Sequence, residues 1–136
     1  MRTQPAPIKF AAVLAAAVLL LALFACAPRP GVYQVGPGAG EQIIHIIATN
    51  FAFDPEQIAA RQGQVLILRV TNQATTTHNL TVRDPQENIL AAIDLPAGSS
   101  SETRISLKEA GVYSFYCAKP FHSGLGMKGR IEAAAF

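Results

Sequence analysis

Three side chains that bind soft metal ions stand close together near the carboxyl end of the chain. A thiol, an imidazole and a thioether follow the pattern C-x4-H-x4-M and belong to Cys117, His122 and Met127. A second imidazole, that of His78, precedes them in the sequence. Sulfur and imidazole donors suit copper, and two histidines with one cysteine and a weak methionine make the trigonal blue-copper arrangement. The residue types therefore predict a copper site.

Short apolar runs separated by turn residues predict the elements that must position these donors. The runs recur about every ten residues, as in an all-β sandwich or barrel. Neighbouring side chains in a strand point to opposite faces, so His78 shares a face with Leu80. By the same alternation Cys117 shares a face with Phe115, and both donors are expected to point into the sandwich. The predicted strands are residues 42–49, 64–72, 76–83, 88–94, 101–107, 111–117 and 127–134.

The first 25 residues have the pattern of an export signal. Arg2 and Lys9 precede an uncharged apolar run, and small residues follow it. Residues 23–26, Leu-Phe-Ala-Cys, resemble the lipobox of bacterial lipoproteins, in which Cys26 would become the lipidated first residue of the mature chain. An uncleaved anchor helix and a plain secretory signal are the alternatives, since about 17 to 20 apolar residues can span a bilayer. All three interpretations place the domain outside the cytoplasm.

Removal of residues 1–25 would leave a chain of balanced charge. The full sequence has 11 basic and 9 acidic residues, and Arg2 and Lys9 belong to the signal. Neither a nucleic-acid surface nor a polybasic lipid-binding patch is therefore expected. Residues 26–41 begin with Cys26 and are rich in proline and glycine, which predicts a linker leading to one domain at residues 42–136.

Each donor taken alone also has an ordinary structural interpretation. His78 could be a hydrogen-bonded histidine in a strand, and Met127 could fill the core. Cys117 could be a small buried hydrophobe or, in an exported protein with two cysteines, form a disulfide with Cys26. The complete spaced set favours a metal site over these interpretations. His45 lies outside that set and is expected to be structural or at the surface.

The motifs around the donors resemble those of the cupredoxin family. Thr-His-Asn at 77–79, the aromatic approach Tyr-Ser-Phe-Tyr to Cys117, and Gly-Met-Lys-Gly at 126–129 carry the resemblance, which covers residues 43–134. It implies an all-β Greek-key sandwich or barrel of about seven to eight strands, preceded by a signal or anchor segment. It also implies a ligand set for one type 1 copper per chain, with equatorial ligands His78, Cys117 and His122 and the axial ligand Met127. Asn79 would link the two ligand-bearing loops by hydrogen bonds.

The same resemblance implies that the protein carries single electrons and is not an enzyme. Electrons would pass through the exposed edge of His122 to and from a transient redox donor and acceptor, either membrane-associated or periplasmic. A monomeric bacterial lipoprotein is expected, attached to a membrane by its lipid on the periplasmic side or at the cell surface. The residues expected to surround the His122 edge are Pro120, Phe121, Leu125 and Pro96.

Other functions are open but fit the sequence less well. Multicopper oxidases need further histidine ligands, whereas this chain has three histidines. A dinuclear copper centre would need a second cysteine at the position of Phe121, where many cupredoxins with this loop have glycine. A copper-delivery protein would use the same ligands as an electron carrier. A zinc site would leave Met127 unexplained.

Overall fold

The computed structural model describes residues 31–38 and 40–135, so the predicted signal and Cys26 lie outside the described residues. Within the described ranges the chain forms ten strands and no α-helix. No helix in this part of the chain is long and apolar enough to cross a membrane. The strands are β1 Tyr33–Gln34, β2 Glu41–Thr49, β3 Ala52–Asp54, β4 Gln57–Arg61, β5 Val65–Asn72, β6 His78–Arg83, β7 Ile89–Leu95, β8 Ser100–Ser106, β9 Gly111–Tyr116 and β10 Lys128–Ala134.

Two sheets enclose the hydrophobic core. The first has the strand order β1-β4-β10-β9-β6-β7, and the second has the order β3-β2-β5-β8. Side chains from both sheets are completely buried between them, including Leu66, Leu80 and Phe115. The predicted all-β fold is confirmed, and each of the seven predicted strands begins and ends within two residues of an observed strand.

Three short strands are not predicted from the sequence: β1, β3 and β4. The first lies inside the predicted linker and pairs in parallel with β4. Next to it, the Val35 amide donates to the Ala59 carbonyl at 2.8 Å, and the Gln64 side-chain amide donates to the Gly36 carbonyl at 2.8 Å. Part of the predicted linker is therefore bound to the domain.

Strand ends bring the predicted donors to one end of the sandwich, here called the donor end. β6 begins at His78, β9 ends immediately before Cys117, and β10 begins immediately after Met127. The loop before β6 is held by completely buried Asn72, whose amide donates to the Thr76 carbonyl at 2.9 Å. His45 lies on β2 and is exposed, as expected.

Candidate metal centre

Three of the four predicted ligands meet at the donor end. His78 Nδ1 lies 3.1 Å from His122 Nδ1. Cys117 Sγ lies 3.4 Å from the His122 nitrogen and 4.0 Å from the His78 nitrogen. The centre of this triangle is about 2 Å from each of the three atoms, close to the length of a metal–nitrogen bond. The three donors therefore fit a trigonally bound metal ion.

Backbone hydrogen bonds tie Met127 to the other two residues of the C-x4-H-x4-M motif. The Cys117 amide donates to the Met127 carbonyl at 3.0 Å, and the Met127 amide donates to the His122 carbonyl at 3.1 Å. Met127 is completely buried. The loop is thus closed on itself, which fixes the spacing of its thiol, imidazole and thioether residues.

Asn79 joins β6 to the loop that follows β9. Its side-chain oxygen accepts a hydrogen bond from the Ala118 amide at 2.6 Å, and its side-chain amide donates to Thr81 Oγ1 at 3.0 Å. Its own backbone amide points at Cys117 Sγ, 3.4 Å away. The form of cysteine that binds metals is the thiolate, and this amide can donate a hydrogen bond to the sulfur. Asn79 thus contributes both a cross-link and a donor to the sulfur.

The surroundings of His78 favour its neutral form. The side chain is completely buried. Burial lowers the pKa of His78 because it disfavours a charged ring, and the adjacent His122 lowers that pKa further. A neutral imidazole has a free lone pair, so this environment prepares His78 to bind a cation.

Phe51 lies beside the two histidines in space, and Phe121 precedes His122 in the sequence; sequence reasoning missed Phe51. The ring of Phe51 meets the His122 ring edge to face, with centroids 4.9 Å apart, and lies 6.4 Å from the His78 ring. Phe121, the departure from the cupredoxin pattern, has a φ of 69° and is 85% exposed. Glycine adopts this left-handed conformation easily, so the glycine that the resemblance implies at this position would fit the same backbone. The Phe121 backbone keeps the glycine-like conformation, and its ring extends into solvent.

A comparison with known families agrees with this fold and site. The family described as a cupredoxin-like domain matches residues 13–131. The chain belongs to this family. This cupredoxin is 29% identical over 92 residues to plastocyanin of Capsella bursa-pastoris, covering 60% of the chain and 87% of that plastocyanin.

Solved structures show the same architecture. Auracyanin from Roseiflexus castenholzii has a TM-score of 0.62 and 24% identity, covering 70% of this cupredoxin and 98% of the auracyanin. Auracyanin A of Chloroflexus aurantiacus, described as a "blue" copper protein, has a TM-score of 0.62 and 20% identity, with coverage of 69% and 99%. At these identities the structural likeness establishes the fold.

Proposed function

We propose that this cupredoxin binds one type 1 copper ion through His78, Cys117, His122 and Met127 and carries single electrons between redox partners. The observation that carries the proposal is the triangle of two imidazole nitrogens and one buried sulfur. When bound, copper supplies a one-electron couple between Cu(I) and Cu(II). The part played by the chain is to hold the donors in one arrangement.

The way the donors are held favours electron transfer over copper delivery. His78 and Cys117 are completely buried, and they stand at the ends of strands in the same sheet. Asn79 cross-links the segments that carry them. A delivery site must release its metal to a partner, and burial and cross-linking of two of the donors would hinder such release. A rigid site instead keeps its metal and needs little rearrangement when the oxidation state changes.

The potential metal ligands outside this site do not suggest a second, catalytic metal centre among the described residues. Across the described residues, His78, Cys117 and His122 form a group of three potential metal ligands, and no second group of that size occurs. His45 is exposed on β2. A catalytic copper would require additional histidines, and none accompanies His45 in a second cluster.

The visible spectrum of the full chain, purified in detergent and loaded with Cu(II), tests this proposal. An intense thiolate-to-copper band is expected, and it should disappear with ascorbate and return on reoxidation. Repeated cycles in the presence of a Cu(I) chelator should leave the band intensity unchanged. A faint band, or copper lost to the chelator in the reduced state, would instead support the delivery function.

An exposed apolar surface at the donor end, formed by Pro96, Pro120, Phe121 and Leu125, suits a transient redox interface. All four residues are exposed, with Phe121 at 85% and Leu125 at 61%. His122 is half-buried and directly follows Phe121 in the sequence. The Leu125 amide donates to the His122 carbonyl at 3.2 Å. A surface this small would form brief encounters rather than tight complexes. We therefore place electron entry and exit here.

Placing a lysine at Leu125 is expected to slow electron exchange between oxidised and reduced copies of the protein. Two copies that meet through the donor end would bring two added charges together. Such juxtaposed like charges disfavour the encounter, and a cost of about 1.4 kcal/mol corresponds to a tenfold lower rate constant. Line broadening of NMR signals in mixtures of the two oxidation states measures this rate.

Ile89→Lys provides the matched control for the exchange experiment. Ile89 is also an exposed apolar residue, at 60%, and it pairs with Arg83 at the end of β6 away from His78. The control adds the same charge at the opposite end of the sandwich and should exchange electrons at nearly the original rate. Equal rates for the two variants would exclude the donor end as the electron-transfer surface.

We also propose that the protein is exported and attached to a membrane. Residues 1–25 would form the signal peptide, Cys26 would carry the lipid, and the domain would lie outside the cytoplasm. Because β1 is bound to β4, the chain joins the domain at Tyr33 rather than at residue 42. Seven residue steps separate Cys26 from Tyr33, and they can span at most about 25 Å. The domain would therefore meet partners that lie at or near the membrane surface.

A further inference from the structure

We infer that Asn50 positions His78 for metal binding by fixing which ring nitrogen carries the proton. This inference rests on the proposed copper site and adds a positioning residue to it. The two nitrogens of His78 face different surroundings. Nδ1 faces the donor atoms, 3.1 Å from His122 Nδ1. Nε2 faces away from them and lies 3.2 Å from the side-chain oxygen of Asn50.

Only one tautomer of His78 can offer a lone pair at Nδ1. If the proton were on Nδ1, it would lie among the donor atoms and occupy the lone pair that a metal needs. If the proton is on Nε2, it can be donated to Asn50 Oδ1. Because the hydrogen bond made by one ring nitrogen decides which tautomer is present, an acceptor at Nε2 leaves Nδ1 free for a cation. Asn50 supplies that acceptor.

Thr76 orients the Asn50 acceptor. Its hydroxyl donates to Asn50 Oδ1 at 2.9 Å, and the same hydroxyl oxygen lies 3.3 Å from His78 Nε2. Since the Thr76 proton is used toward Asn50, the hydroxyl presents lone pairs to the ring. Both groups that face Nε2 are therefore acceptors, and both favour a proton on that nitrogen.

The contacts among Asn50, Thr76 and His78 depend on the fold because these residues come from separate segments of the chain. Asn50 directly follows β2, whereas Thr76 lies in the loop between β5 and β6. Buried Asn72 fixes that loop by donating to the Thr76 carbonyl. The folded chain thus selects the tautomer before any metal arrives. Because the acceptor is a side-chain oxygen of Asn50, its effect on the His78 tautomer can be tested by substitution. A backbone carbonyl could not be removed in this way.

The tautomer can be measured directly in the metal-free full chain by nitrogen-15 NMR of the histidine rings. The original protein should carry the His78 proton on Nε2. Asn50→Ala should shift the population toward the Nδ1–H tautomer, whereas Asn50→Asp should retain Nε2–H because it keeps an acceptor oxygen.

Loss of a hydrogen-bond partner behind a metal-binding histidine typically lowers metal affinity about 10- to 100-fold, so Asn50→Ala should bind Cu(II) correspondingly more weakly. Thr76→Val, which removes the orienting hydroxyl, should produce a smaller shift in the same direction.

Asn88→Ala is the matched control, since the Asn88 amide binds Asp84 at the other end of the sandwich. It should leave the His78 ring signals and the copper affinity unchanged. An Nδ1–H tautomer in the original protein, or an unshifted tautomer and affinity in Asn50→Ala, would overturn the inference. If Asn50→Ala fails to fold, Thr76→Val decides: a shift toward the Nδ1–H tautomer supports the inference, and an unshifted tautomer overturns it. The metal-free measurement also stands apart from the proposed function, which fails if the original protein lacks the intense copper band.

Discussion

Replacing Cys117 with serine is expected to abolish the intense visible band of the copper-loaded protein. The band requires a sulfur that is deprotonated by the metal, and a hydroxyl is a poor replacement for a thiolate. The side chain of Cys117 is completely buried and lies within 4.0 Å of both histidine nitrogens. Serine is smaller and can still accept from the Asn79 amide, so the fold should persist. Visible absorption reports the band, and far-ultraviolet circular dichroism reports the fold.

The same substitution at the second cysteine separates the copper site from membrane attachment. The chain has two cysteines, and Cys26 is the proposed lipidation site. Cys26→Ser should keep the full copper band but lose the lipid, so that the mass of the protein no longer includes a diacylglycerol group. A Cys117→Ser protein that keeps the intense band would place the sulfur ligand elsewhere and refute the proposed site. An original protein whose mass includes residues 1–25 and no lipid would favour an uncleaved anchor helix over a lipid.

The donors could be found from the sequence because their spacing is local. Cys117, His122 and Met127 fall within one loop, and His78 follows from the inward face of a predicted strand. Asn50 and Phe51 could not be placed at the site in this way. They reach it because β2 pairs in parallel with β5, which brings the end of β2 beside the loop before β6. No periodicity within residues 42–49 specifies that pairing.

The three strands that are not predicted from the sequence, β1, β3 and β4, have weak sequence signals for physical reasons. β3 has three residues and β1 has two, so neither is long enough to show alternation. β4 alternates in burial, but its inward side chains are Ile58 and the small Ala60. Its strand conformation comes from parallel pairing with β10, which lies about 70 residues later in the chain. In β2 and β5, by contrast, large apolar residues at alternate positions mark the inward face.

Replacing Gly129 with alanine should destabilise the fold by about 3 kcal/mol, since overpacking a core typically costs 1 to 3 kcal/mol and occasionally more. A Cβ at this position would overlap both the ring of Phe115 and the carbonyl oxygen of Glu56. Phe115 is completely buried and packs edge to face on Phe53, with centroids 5.6 Å apart. The Glu56 carbonyl accepts from the Arg130 amide at 2.8 Å. Neither neighbour can move without breaking a core contact or a strand hydrogen bond. Denaturant unfolding of the metal-free chain measures the loss.

The Gly129 substitution should also weaken copper binding, because it acts between the two strands that lead to the ligands. Gly129 lies directly opposite Phe115 in the β9–β10 pair. Each is two residues from a proposed ligand, Met127 and Cys117 respectively, so separating the strands here would displace both ligands. Phe115→Leu removes the ring atoms that the new methyl group would overlap. Phe115→Leu should therefore lower the free energy of unfolding less in the Gly129→Ala background than in the original chain. The part of the Gly129→Ala loss that persists in the double variant would be due to the overlap with the Glu56 carbonyl.

Gly40→Ala is the control for glycine replacement itself, because a Cβ at Gly40 would have no neighbouring atom within 4 Å. It should leave both stability and the copper spectrum nearly unchanged. Equal stabilities for the two alanine variants would mean that β9 and β10 can separate at little cost. The donor end would then be flexible enough to release its metal, and copper delivery would become the better explanation of the site. A large and selective loss in Gly129→Ala would instead show that close packing between these strands maintains the ligand spacing, as an electron carrier requires.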